Sequence, residues 1–182
     1  MEASFKKSYA SLGADRLVLL WLGVWWIANL VQAGFTELAN DEAYYHMFAE
    51  RLAWGYFDHP PMTALLVHLG GFLGGEIGVR FFFTVLQPIY LFALWRIIRP
   101  RETTVRDAGL FLLIAAAMPI LQLYGFIAVP DGPLMLFTAL FLWSYKYFTE
   151  RSNWLAVLFI AVSLAGLAYS KYHGALCLLY PS

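Results

Sequence analysis

Charge is scarce in this 182-residue chain. Asp, Glu, Lys and Arg make up 13% of it, about half the share of an average soluble domain. Twelve Lys+Arg balance twelve Asp+Glu, so no net charge draws the chain onto nucleic acid, which is excluded as a partner. The single cysteine, Cys177, rules out an intrachain disulfide and any cysteine-based zinc cluster. No Walker loop, Gly-rich dinucleotide fingerprint, serine elbow or His-Glu-x-x-His occurs, so soluble nucleotide chemistry and zinc proteolysis have no support. Apolar mass is abundant: 61% of residues are hydrophobic, with 15 Phe, 11 Tyr and 7 Trp, which excludes disorder. The remaining class is an all-α integral membrane protein.

A helix needs about 20 mostly apolar residues to cross the hydrocarbon core. Runs at 17–35, 79–98, 108–125, 133–147 and 154–169 meet or approach that length, so the expected fold is a polytopic bundle of about five transmembrane helices. Arg80 and Arg96 sit at the two ends of the second run, where long side chains can snorkel. A further apolar stretch, 175–180, stops at Pro181-Ser182, as expected if residues 1–182 are the N-terminal part of a longer transmembrane domain. Lys6 and Lys7 resemble the start of a signal peptide and Val31-Gln32-Ala33 a cleavage site. However, the first run is too long for one and holds Trp21, Trp25 and Trp26.

With the N-terminus in the cytoplasm, Lys6, Lys7, Arg16, Arg96, Arg99, Arg101, Arg106, Lys146 and Arg151 all fall on the inner side. Arg51, Arg80 and Lys171 fall outside, together with Glu37, Asp41, Glu42, Glu50, Asp58, Glu76 and Asp131. This asymmetry predicts a cytoplasmic N-terminus. The inner connections are short basic turns. The first outer connection, 36–78, is too long for a plain linker and should carry helices of its own. The spacing predicts a surface helix over 41–54, capped by Asp41, with Tyr44, Phe48 and Leu52 on one face. A second short helix is expected over 62–73. Between them Tyr56-Phe57-Asp58-His59-Pro60-Pro61 is a stiff elbow, because each proline fixes its own φ and disfavours helix before it. Two surface helices on a rigid elbow form a lid over the first spans.

Asp41-Glu42 places two acids just outside the first span. A carboxylate there can serve as general base toward a hydroxyl, or hold a divalent cation against a phosphate. The plain alternative is two acids complementing a helix N-terminus. Asp131, flanked by prolines at the membrane edge, is costly unless paired, hydrated or bound to a cation, though it could equally cap the fourth span. Lys171, at the outer end of the fifth span, is by default a headgroup anchor and otherwise a phosphate ligand. Glu42 and His46, four apart on one helix face, could be metal ligands, whereas His59 and His68 are, one by one, more often structural than catalytic.

Asp41-Glu42-Ala43-Tyr44-Tyr45, followed by Leu52-Ala53-Trp54-Gly55-Tyr56-Phe57-Asp58-His59-Pro60-Pro61-Met62, resembles the first outer loop of the GT-C membrane glycosyltransferases. Within that group the likeness is to the bacterial branch related to dolichyl-phosphate-mannose protein mannosyltransferases and the lipid A aminoarabinose transferase. Val129-Pro130-Asp131 is similar to the family's second-loop acid, and Gly166-Leu167-Ala168-Tyr169-Ser170-Lys171 to its lysine segment.

The resemblance implies inverting transfer of a sugar from a polyprenyl-phosphate donor to a lipid, glycan or protein acceptor, on the outer face of a bacterial inner membrane. It makes Asp41, Glu42 and Asp131 the catalytic acids, with Asp41 and Asp131 the residues that would hold a divalent metal. Lys171, Arg80 and His59 become ligands of the donor phosphate. His59 stands where relatives often carry a lysine before the prolines, and Arg80 opens the second span as an arginine does in relatives. The alternatives are a transporter or flippase-like protein for lipid-linked solutes, and a structural subunit whose acids only cap helices. If the enzyme reading holds, Asp41 and Asp131 should face one cavity although the chain separates them widely.

Overall fold

The computed structural model describes residues 2–99 and 103–172. The expected apolar stretch at 175–180, with His173, lies outside the described residues. The helices are α1 (Glu2–Phe35), α2 (Asn40–Ala49), α3 (Met62–Gly70), α4 (Gly75–Ile98), α5 (Val105–Ala117), α6 (Pro119–Leu123), α7 (Asp131–Glu150) and α8 (Trp154–Ser170), with one 3-10 turn at Gly71–Leu73. No strand occurs among the described residues.

The fold is a helical membrane bundle. Ser11–Phe35 and Gly75–Ile98 are each long and apolar enough to cross a bilayer on their own. The 20 residues of α7 reach about 30 Å, also the thickness of the hydrocarbon core. Large side chains such as Leu20, Val24, Ile27 and Phe159 stay more than half exposed on the bundle surface, which suits a lipid solvent and not water.

The centre of the bundle is α4, which packs against α1 and α7. In turn α7 packs against α8, and α5 against α1. One apolar core joins α1, α4, α5 and α7 around Val18, Leu22, Tyr90 and Trp95. A smaller one lies under the 36–78 connection, around Tyr45, Val67, Val79 and Phe83. Where α3 turns back onto α4, Gly70 lies so close to Gly78 that a Cβ on Gly70 would come within 2.1 Å of the Gly78 carbonyl oxygen.

Three local expectations are corrected. The third span is not continuous over 108–125: Met118 is extended (φ −88°, ψ 108°) between α5 and α6. Pro119 explains the break, since the residue before a proline is driven out of the helical region. The Gln87 side chain donates to the Leu121 carbonyl of α6 at 2.5 Å and accepts from the Asn29 amide, which ties α6 to α4 and α1 inside the bundle. A Cβ on Gly125 would sit within 2.7 Å of both amides, so only glycine fits there.

The first surface helix stops at Ala49, not at 54. Its end is closed by the Tyr56 hydroxyl, which donates toward the Phe48 carbonyl at 3.0 Å and accepts from the Ala53 N–H at 3.3 Å, while its ring stacks on Phe48. The buried face of α2 is also different. Glu42, Tyr45 and Ala49 point inward, while Tyr44 and Leu52 are exposed. Beside the elbow, Trp54 and Phe57 stand out from the surface, at 90% and 104% exposure.

Candidate active site

Four segments meet at one end of the bundle: α2, the Tyr56–Pro61 elbow, the loop from Tyr124 into α7, and the end of α8. Asp41 and Tyr45 come from the first turns of α2, and Asp58 and His59 from the elbow. Asp131 is the first residue of α7, and Lys171 follows the last residue of α8. Asp41, Asp58, His59, Asp131 and Lys171 line one cavity of about 540 Å³, roughly the size of a small-molecule site. The two acids expected to converge therefore share a wall.

The Lys171 ammonium donates to both oxygens of Asp131, at 2.9 and 3.1 Å. Both side chains are about a quarter to a third exposed, so the pair is reachable from the cavity. The elbow is tied to α2 by two tyrosines. The Tyr44 hydroxyl donates to Asp58 at 3.1 Å, and the Tyr45 hydroxyl lies 3.2 Å from Nε2 of His59. Burial first, then the charges of Asp41, Asp58 and Asp131, push the Tyr45 hydroxyl above the ordinary tyrosine range. The three carboxylates line the same cavity as this phenol. The sequence had not singled out Tyr45 or Asp58 as site residues. The signal was there, because positions 41, 44 and 45 share one side of a helix.

Glu42 and Arg80 do not reach the cavity. Both are buried, at 0% and 1% exposure, and paired with each other. The guanidinium Nε donates to Oε1 at 2.7 Å and Nη2 to Oε2 at 2.5 Å. Its other N–H groups go to the carbonyls of Ala33, Thr36 and Glu37 at the end of α1, at 3.1, 2.6 and 2.9 Å. All five donors of the guanidinium are thereby used. Glu42 in turn accepts the N–H of Ala128 at 2.8 Å and of Ala39 at 2.9 Å. Burial tends to raise the Glu42 carboxyl, but Arg80 and these two amides outweigh it and hold it below its ordinary value.

Glu42, expected as a catalytic acid, and Arg80, expected as a phosphate ligand, are thus turned toward each other and away from the cavity that Asp41 lines. The pair instead fixes α2, the end of α1, α4 and the loop leading to Asp131 in one arrangement.

Asp41 and Asp131, the expected metal ligands, line the same cavity. The Asp131 carboxylate is already held by an ammonium. Among the described residues no group of three or more His, Cys, Asp or Glu side chains converges as a ligand set.

The fold and this cavity together define a membrane helix bundle with an acid-lined pocket at one end, in which an ammonium faces the carboxylates. The model of the dolichyl-phosphate-mannose-protein mannosyltransferase family matches residues 58–180, and the chain belongs to that family of membrane glycosyltransferases. Asp58, His59, Asp131 and Lys171 lie inside the matched region, and Asp41 and Glu42 precede it. No curated protein and no solved structure matches the chain.

Proposed function

We propose that this protein transfers a sugar from a polyprenyl-phosphate donor to a lipid, glycan or protein acceptor on the outer face of the membrane, with inversion at the anomeric carbon. The observation that carries this reading is the sharing of one cavity by Asp41, Asp131 and Lys171. Asp41 is the general base: its carboxylate takes the proton of the acceptor hydroxyl as that oxygen attacks the anomeric carbon. The bond from that carbon to the phosphate oxygen breaks, and the electron pair leaves with the polyprenyl phosphate. Lys171 stabilises the charge that develops on that oxygen, exchanging its contact with Asp131 for one with phosphate. Asp131 holds the ammonium in place until the donor arrives. His59, held by Tyr45, is positioned to donate to a phosphate or sugar oxygen. The excess of Lys and Arg at the opposite end of the bundle supports a cytoplasmic N-terminus and outward-facing acids, in a bacterial inner membrane.

Replacing Asp41 with Asn in the full-length protein tests the reading. Loss of transfer with normal expression and an unchanged melt supports it, and unchanged transfer removes Asp41 from the chemistry. A transporter remains the second reading, favoured by the α5–α6 break beside the buried Asn29 and Gln87, since transporters use discontinuous helices near the midplane. Donor turnover in detergent solution separates the two, because transport needs two compartments and transfer needs none.

A further inference from the structure

At the end of the bundle opposite the acidic cavity, a second polar pocket of about 310 Å³ opens between α4 and α7. Its wall carries the cations Arg96, Arg99 and Lys146 against one carboxylate, Glu150. Arg99 is also balanced by Asp15, at 2.6 Å. Lys146 is held in position by donating to the Ile97 carbonyl at 2.9 Å, and Arg96 by lying 5.9 Å above the Phe92 ring. Trp143 and Tyr147 form the rim of this pocket. The same two side chains also line a neighbouring groove of about 550 Å³ between α7 and α8, whose other walls include Leu140, Phe159 and Val162. Phe159 and Val162 are more than half exposed along it.

We infer that the two cavities form a single site for a phospholipid with an anionic headgroup, its phosphate among Arg96, Arg99 and Lys146 and one acyl chain along the α7–α8 groove. Charge complementarity selects this occupant. A basic pocket between helices at the membrane boundary attracts anionic headgroups, and each Lys or Arg near the surface adds to the attraction. An apolar protein segment laid over the same surface would bury three cations against two carboxylates, Asp15 and Glu150, which is costly. A lipid satisfies both halves at once, because its phosphate and its chain are joined at the spacing of headgroup to hydrocarbon. Trp143 and Tyr147 sit at the junction, where amphipathic rings are favoured. This site lies apart from the donor cavity and involves none of its residues.

The test is lipid titration of the purified full-length protein by native mass spectrometry, with phosphatidylglycerol and phosphatidylcholine of identical chains, and with inorganic phosphate as competitor. Phosphatidylglycerol should bind at least about tenfold tighter than phosphatidylcholine, from the attraction of two or more basic side chains. Arg96→Gln and Lys146→Gln should each weaken it about fivefold. Val162→Trp, which fills the groove, should weaken both lipids, and millimolar phosphate should displace neither. Equal binding of the two lipids overturns the inference, as does wild-type affinity in both charge variants. Displacement by phosphate together with no effect of Val162→Trp reduces the site to a bare anion pocket and also overturns it. So does a lipid-insensitive groove covered by another segment of the chain. If a variant fails to fold, the selectivity of the wild-type protein between the two lipids decides.

Discussion

Glu42 and Arg80, on α2 and α4, meet as a two-pronged ion pair with N···O distances of 2.7 and 2.5 Å in an environment closed to solvent. Because Glu42 is turned into the protein, its neighbour Asp41 is turned out of it, toward the cavity. The buried pair thus sets the aim of the acid beside it.

Glu42→Gln should therefore destabilise the outer module by about 3–5 kcal/mol, the usual effect of leaving one buried charge unpaired. A thermal melt of the purified protein checks this, and a variant as stable as wild type would show the pair to be dispensable. The pH dependence follows from the same contact. The Glu42 carboxyl is held below its ordinary value of 4.5 in the folded state. Its contribution is fully present above about pH 4.5 and is lost as pH falls through the lower folded value. Wild-type melting temperature should drop on acidification below that point, and Glu42→Gln should remove this part of the drop.

Lys171→Met should behave in the opposite manner. The Lys171–Asp131 pair is partly exposed, and such pairs contribute about 0–1 kcal/mol to stability. The melt should barely move, whereas turnover of a polyprenyl-phosphate sugar should fall about 100-fold or more, as when one preorganised donor is removed from a developing charge. A large loss of stability with proportionate loss of activity would make the lysine structural.

Transfer should persist after exhaustive treatment with EDTA. Asp41 and Asp131 share the cavity, but no group of three or more ligating side chains converges among the described residues. Activity abolished by the chelator and restored by added magnesium or manganese would require a different donor set.

Two adjacent glycines make an internal comparison. A Cβ on Gly70 would collide with the Gly78 carbonyl at 2.1 Å, while one on Gly71 meets nothing within 4 Å. Gly70→Ala should cost about 1–3 kcal/mol as α3 is forced off α4, and Gly71→Ala should be close to neutral. Melting temperatures of the two variants, measured side by side, check the crossing.

Sequence alone determined the class of protein, the helices and the end of the bundle that carries the acids. Those features depend on local composition: an apolar run of sufficient length must be helical in a bilayer, and the distribution of Lys and Arg is countable without coordinates. The proline elbow, the helix at Met62–Gly70 and the acids flanking the spans were legible for the same reason. The break at Met118 was missed by the expectation of one run over 108–125, although its signal, Pro119, stood in the sequence. The tertiary structure decided which of two adjacent acids faces the cavity. Nothing local distinguishes Asp41 from Glu42. The choice comes from Arg80, which approaches from α4 with five donors and takes the carboxylate that the packing of α2 turns inward. The pairing of Asp131 with Lys171 is decided in the same way, because only the packing of α8 against α7 brings the end of one helix to the start of the other.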